Sequence, residues 1–319
     1  MNNKTTNFSF NNILSPLQLE NSLLNEQEFS SGTSKLASYP RRIFIMLDNY
    51  NDSKGKADGI TETFNTKLLR FLSPSMKFAE ELVLVTENAV ELTGNMQPAL
   101  EFADEFNINK TVLADVAILG ELSPWIFQYS VTKVNIIIDP PGDFTEGINN
   151  VIPSVRDLVV RKYFAHVKPV VNLVYLLSKT DATYIPDMLR LPFETEADEI
   201  SLVFKKATDS CDNNLNADKL TYLREQLKIK SNYYGIRCKM PYSINSPIIQ
   251  YSAWSDLFIN YNGGIKQSFK GKNITPRSLY PDTSFIDDIW NSPELITLRN
   301  TALSEENKVS PVNQYNHIF

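Results

Sequence analysis

Carboxylates, amides and amines recur along this chain just past its apolar runs. Asp48 follows RRIFIML, Glu87 follows ELVLVT, Asp115 closes TVLAD, Asp139 follows KVNIII, Lys179 follows PVVNLVYLLS and Lys205 follows EISLVF. Asn49, Tyr50, Asn51 and Lys54 sit in one loop, MLDNYNDSKGKADG. Converging carboxylates and lysines can move protons or hold a hard cation such as Mg²⁺. Taken singly each has a plainer reading. Asp48 and Asp52 beside Lys54 and Lys56 suit a solvated loop, Asp139 before two prolines suits a turn, and Lys179 and Asp181 suit a strand-end surface. Soft-ligand chemistry has little to work with. The chain has two cysteines, Cys211 and Cys238, and two histidines, His166 and His317. That set makes neither a usual zinc site nor the three-cysteine loop of an iron–sulfur cluster. A serine-type triad would have to use His166 or a tail residue. Cys238, between Arg237 and Lys239, reads either as a thiol of lowered pKa or as a packed side chain.

Positioning those residues requires a regular scaffold, and one is legible from Pro40 onward. Apolar, β-branched runs at 42–47, 81–86, 111–116, 133–139, 169–178 and 199–207 alternate with segments of helical spacing. Runs that are apolar throughout mark parallel strands covered on both faces. Six such units in residues 40–230 predict a parallel sheet with right-handed crossovers, doubly wound or curved into a partial barrel. Within it, SPWIFQYS predicts a short helix capped by Ser123 with Pro124 in its first turn. Residues 1–39 read as a flexible polar tail with one short amphipathic piece, interrupted at Pro16. The rhythm breaks near residue 230, where residues 231–254 look loop-like. A hairpin follows, with Leu257, Ile259 and Tyr261 alternating and Asn262-Gly263-Gly264 turning. Thr283 or Ser284 can cap a helical turn, and Ser292 with Pro293 and Glu294 can start a helix. Trp254 and Trp290 are expected to anchor this appendage, residues 231–303, and 304–319 form a polar tail.

Composition bounds the classes. Of 319 residues, 42% are hydrophobic and 21% charged, which suits a globular protein. No apolar stretch is long enough to span a membrane. A net charge of −6 argues against a general nucleic-acid binder. The N-terminus lacks the pattern of a signal peptide, so a cytoplasmic protein is expected.

The segment YSAWSDLFINYNGGIKQSF…TSFIDDIWNSPELITLR resembles the C-terminal SPASM segment of radical SAM enzymes. SFIDDIWNSPELITLR carries the closer match, and the hairpin matches in shape. The loop LDNYNDSKGKADG is similar to the cluster-binding loop that follows the first strand in that family. The resemblance covers residues 40 to about 303. It implies a partial (β/α)6 TIM-like barrel with a small C-terminal appendage of a hairpin plus helices. In that frame the cysteines that would hold a [4Fe–4S] cluster fall on Tyr50, Lys54 and Ala57. Auxiliary-cluster cysteines fall on Tyr251, Gln267 and Ser268. The glycine pair that receives the amino group of S-adenosylmethionine (SAM) falls on Val85-Thr86, with Glu87 as the retained acid.

These departures have a direct chemical meaning. Cluster iron needs thiolate or imidazole ligands, and a phenol, an ammonium and a methyl supply neither. No cofactor is therefore expected, a [4Fe–4S] cluster is excluded, and SAM binding is doubtful. The resemblance then implies a catalytically inactive scaffold, a substrate-presenting or partner subunit. Its partner would be an active radical SAM enzyme, or that enzyme's peptide substrate, in a peptide- or sugar-modifying pathway. The alternative is a repurposed barrel enzyme, using SAM without a cluster or acid–base chemistry at the mouth.

Overall fold

The computed structural model describes residues 14–47, 66–86, 92–138, 144–177, 185–204, 253–260, 263–266 and 284–306, with 225, 228–229, 231–233 and 235–239. After helix α1 (Pro16–Ser30), five strand–helix pairs follow in order. They are β1 (Arg42–Met46) and α2 (Thr66–Met76), β2 (Glu81–Thr86) and α3 (Leu92–Asp104), β3 (Asn109–Asp115) and α4 (Leu119–Gln128), β4 (Lys133–Ile138) and α5 (Phe144–Phe164), and β5 (Val170–Leu177) and α6 (Ile185–Thr195). Then come β6 (Glu199–Phe204), β7 (Arg237–Lys239), β8 (Asp256–Ile259), β9 (Ile265–Lys266), one π-helical turn (Phe285–Trp290) and α7 (Pro293–Glu306). One sheet holds all the described strands in the order β7-β6-β5-β4-β3-β2-β1-β8-β9. All neighbours are parallel except β8 and β9, which form the expected hairpin with Ile259 opposite Ile265. Gly263 turns it at φ +82°, a conformation that favours glycine. The fold is thus the partial (β/α)6 barrel, with the hairpin added beside β1.

Strand alternation sorts the side chains. Ile43, Ile45, Leu82, Leu84, Val112, Ala114, Val134 and Ile136 face the helices and belong to the main core. Phe44, Met46, Val83, Val85, Leu113, Ile137 and Phe258 face the other way and pack as a second cluster in the lumen. Each such burial contributes roughly 1.5–3 kcal/mol. Burial on both faces is why the strands read as continuous apolar runs.

Three local expectations change. Helix α4 begins at Leu119, so Ser123 is a buried interior residue rather than a cap. Asp115 supplies the start signal instead, capping a 3₁₀ turn, Val116–Ile118, that leads into the helix. The loop-like stretch after residue 230 contains β7, a strand too short to show an alternation. From residue 14 onward the N-terminal segment is docked, not loose. Pro16 is the first residue of a 15-residue helix, where proline fits, and Ser15 and Gln18 close a capping box.

Helix α1 turns its polar face inward. Gln18 Nε2 donates to the carbonyls of Ala79 and Asn107, both at 2.7 Å. Asn21 Nδ2 donates to Tyr39 O at 3.1 Å and Phe78 O at 3.3 Å, while its Oδ1 accepts from Tyr39 N at 2.8 Å. Asn25 Nδ2 donates to Trp254 O at 2.6 Å, and Glu28 accepts from Ala37 N at 2.5 Å and Ser38 Oγ at 2.5 Å. These groups satisfy backbone atoms beside the starts of β1, β2, β3 and β8, which would otherwise be buried unpaired.

The C-terminal segment is tied to the same region. Ser284 caps the π-helical turn, and Trp290 Nε1 donates to Ser38 O at 2.9 Å. Asn291 brackets Leu36, accepting from its N–H and donating to its carbonyl, both at 2.7 Å. Arg299, fully buried, donates to the carbonyls of Ala253 (2.8 Å), Ser34 (2.9 Å) and Trp290 (2.9 Å) and lies 4.4 Å over the Trp290 ring. Burial lowers its pKa to about 10, opposed by nearby Glu28, so it is a cation at neutral pH. Trp254 Nε1 donates to Thr33 O at 2.7 Å. The two tryptophans are anchors, as expected.

Candidate functional site

The C-terminal ends of β1 to β6 lie side by side and define the mouth of the barrel. The loop with Asp48, Asn49, Tyr50, Asn51, Lys54 and Ala57 follows β1 in the chain. Glu87 follows β2, Asp139 β4, Lys179 β5 and Lys205 β6. All of these lie outside the described residues, as do Tyr251, Gln267 and Ser268. Asp115, at the end of β3, is described. Its Oδ1 accepts from Ala117 N at 2.8 Å, so the carboxylate is engaged in starting the turn before α4.

Beneath the mouth the lumen is layered. At the strand starts it is ionic. Arg42 grips Asp256 with two hydrogen bonds, 2.9 and 2.6 Å, and Ser255 Oγ donates to the same carboxylate at 2.7 Å. Glu81 accepts from Thr111 Oγ1. Glu199 lies 3.1 Å from Arg237 and 3.8 Å from Lys133. Buried charges this deep persist only when paired. One layer up, the lumen divides. Its β8–β1–β2–β3 side is apolar, with Phe44 and Phe258 stacked at 4.4 Å. Its β4–β6 side is polar: Ser201 Oγ donates to Asn172 Oδ1 at 3.1 Å, and Asn172 Nδ2 donates to Asn135 Oδ1 at 2.7 Å. Asn135 Nδ2 ends this ladder, fully buried and with no hydrogen-bond partner among the described residues. On the hairpin side, the buried Lys266 brings its Nζ to 3.4 Å from Met46 Sδ.

None of Asn135, Asn172, Ser201 and Lys266 was singled out in the sequence. The signal was there for the two asparagines. Asn135 in KVNIIID and Asn172 in PVVNLVYLL are the lone amides inside otherwise apolar strands. A buried amide needs a polar neighbour, so two in adjacent strands point to a shared inward layer.

Cys238 adopts the packed alternative. Alternation along β7 turns Cys238 away from the face that carries Arg237, and Cys238 packs against the main core. Burial pushes its thiol up to about 12. A raised thiol pKa keeps the neutral form in the folded state while the unfolded chain ionises from about pH 8.5. Stability held below that pH is therefore lost as pH rises towards 12. Native protein at pH 8.5 should alkylate slowly at Cys238, and guanidinium-unfolded protein rapidly, as read by peptide mass spectrometry. Equal rates would contradict the packing.

The donor set does not fit a [4Fe–4S] cluster. The whole chain has two cysteines where three thiolates are needed, and Cys238 belongs to the core. Among the described residues no group of three or more His, Cys, Asp or Glu side chains is placed to hold a metal ion. No described helix is long and apolar enough to cross a membrane.

No family model matches the chain, and no curated protein matches it in sequence. Solved structures do match in fold. Streptococcus suis SuiB superposes with a TM-score of 0.58 at 13% identity, covering 91% of this chain and 75% of SuiB. SuiB bound to S-adenosylmethionine gives 0.60 at 14%, covering 90% and 74%. SuiB bound to precursor peptide SuiA gives 0.57 at 12%, covering 90% and 73%. At such identity the likeness establishes the fold alone.

Proposed function

We propose that this chain is a radical-SAM-like barrel without a cluster that binds a peptide or a protein partner instead of performing radical chemistry. The observation that carries this reading is the donor set: Tyr50, Lys54 and Ala57 stand where the family resemblance places the cluster thiolates. Without a cluster no electron reaches the sulfonium of SAM, and homolytic cleavage has no source. Support for a peptide ligand comes from the SuiB structure bound to its precursor peptide, whose fold this chain shares. The partner would be an active radical SAM enzyme or that enzyme's peptide substrate.

A second reading, a repurposed barrel enzyme, is favoured by the lumen itself. Lys266 and the Asn135–Asn172–Ser201 ladder give it polar groups that a bare scaffold does not need.

One experiment separates the two. Fluorescein-labelled candidate peptides are titrated with purified protein, with and without SAM, and SAM turnover is followed by chromatography. The scaffold reading expects saturable anisotropy independent of SAM, with neither 5′-deoxyadenosine nor any other SAM-derived product. Turnover of SAM without iron would replace it with the second reading.

A further inference from the structure

We propose that the lumen is a recognition site for a carboxamide, with Asn135 as its anchor. Asn135 is fully buried and stands at the open end of the Asn135–Asn172–Ser201 ladder. Its Oδ1 accepts from Asn172, while its Nδ2 has no hydrogen-bond partner among the described residues. The other polar atoms of the ladder are paired: Asn172 donates to Asn135 and accepts from Ser201. A buried donor left unpaired is costly, so this one group calls for a further polar atom.

The position faces inward. Asn135 and Ile137 lie on the same face of β4, and Ile137 belongs to the lumenal cluster. In register, Asn135 is opposite Leu113 of β3, Leu113 is opposite Val85 of β2, and Val85 is opposite Met46 of β1. Leu113, Val85 and Met46 are lumenal as well. The unpaired amide nitrogen therefore sits where the polar half of the lumen meets the apolar half. It lies two strand positions below Ile137, roughly 7 Å from it towards the floor.

The surroundings select the group. A carboxylate beside Leu113 and Ile137 would need a cation, and the ladder has none. The lysine of β4, Lys133, lies 3.8 Å from Glu199, and Lys266 is on the hairpin side with β8, β1, β2 and β3 between. An aliphatic chain would leave the donor unpaired. Hydrogen bonds along a ladder of amides and a hydroxyl can also run in either sense. Reversed, this ladder would present Asn135 Oδ1 in place of Nδ2. A carboxamide satisfies both, its oxygen accepting in one sense and its nitrogen donating in the other. It continues the ladder with the same pairing that joins Asn172 to Asn135. The source of the amide rests on the peptide-binding reading: a glutamine side chain, long enough to reach past Ile137 from the mouth. Recognition of the amide itself does not rest on that reading.

The full chain, labelled with ¹⁵N and ¹³C, is titrated with N-acetyl-glutamine methylamide, and the side-chain amide of Asn135 is followed by NMR. Its resonances should shift saturably. The norleucine and glutamate analogues of the probe should bind at least about tenfold more weakly, since a site built for a hydrogen bond rejects an analogue that cannot complete it. Asn135→Leu should abolish the preference, and the wild-type titration decides the matter even where that variant does not fold. An Asn135 amide that contacts only water and does not move at the solubility limit of the probe would overturn the inference. Equal binding of the norleucine analogue would overturn it too. Labelled peptides that bind without preferring glutamine would overturn it and leave the peptide reading standing. Binding of the amide probe where no peptide binds would keep the site and remove that reading.

Discussion

Arg299→Ala is expected to destabilise the protein by about 4 kcal/mol, the scale of losing several charge-assisted hydrogen bonds and leaving their acceptors buried. Its guanidinium serves three carbonyls, on Ala253, Ser34 and Trp290, and stacks on the Trp290 ring. Ala253 leads into β8, Ser34 leads to β1, and Trp290 ends the π-helical turn before α7, so one side chain fastens three separate parts of the chain. At roughly 2 °C per kcal/mol for a protein of this size, the melting temperature should fall by about 8 °C. Arg299→Lys should recover only a minor part, because one ammonium cannot span a fork of three acceptors. Thermal melts followed by circular dichroism at 222 nm check both. A loss within experimental scatter for Arg299→Ala would mean that the C-terminal motif is not a structural clamp.

The second large effect is a gain. The triple variant Tyr50→Cys, Lys54→Cys, Ala57→Cys is expected to take up iron and sulfide on anaerobic reconstitution, with the broad absorbance near 400 nm that thiolate-ligated clusters show. Three thiolates on one loop are the minimum donor set for such a cluster. The single variant Lys54→Cys should take up none, which separates a specific site from adventitious thiol binding. Failure of the triple variant to gain iron while it remains folded would place the resemblance in the wrong frame.

The barrel was legible because its strands are buried on both faces, so β1 to β6 appear as unbroken apolar runs such as RIFIM and KVNIII. Turn chemistry was legible as well: Gly263 adopts the positive φ its turn requires, and Ser292 precedes α7 as its pattern indicated. Helix α1 was misleading for a physical reason. Gln18, Asn21 and Asn25 have helical spacing, but they serve backbone carbonyls elsewhere in the chain, while the leucines point outward. A sequence shows which residues share a face, not which face is covered. The role of Asn291 was hidden similarly, since its partner Leu36 lies 255 residues away. At the candidate site the sequence supplied donor types, on which the proposal of a barrel without a cluster rests. It did not supply the lumen, because the ladder through Asn135, Asn172 and Ser201 exists only once β4, β5 and β6 lie in register.

The most direct test is anaerobic reconstitution of the wild-type chain with ferrous iron and sulfide, followed by desalting, iron quantitation and electron paramagnetic resonance after dithionite reduction. Iron at background and no cluster signal are predicted, because Tyr50, Lys54 and Ala57 cannot replace thiolates. Stoichiometric iron with the signal of a reduced [4Fe–4S] cluster would contradict the inactive-barrel reading.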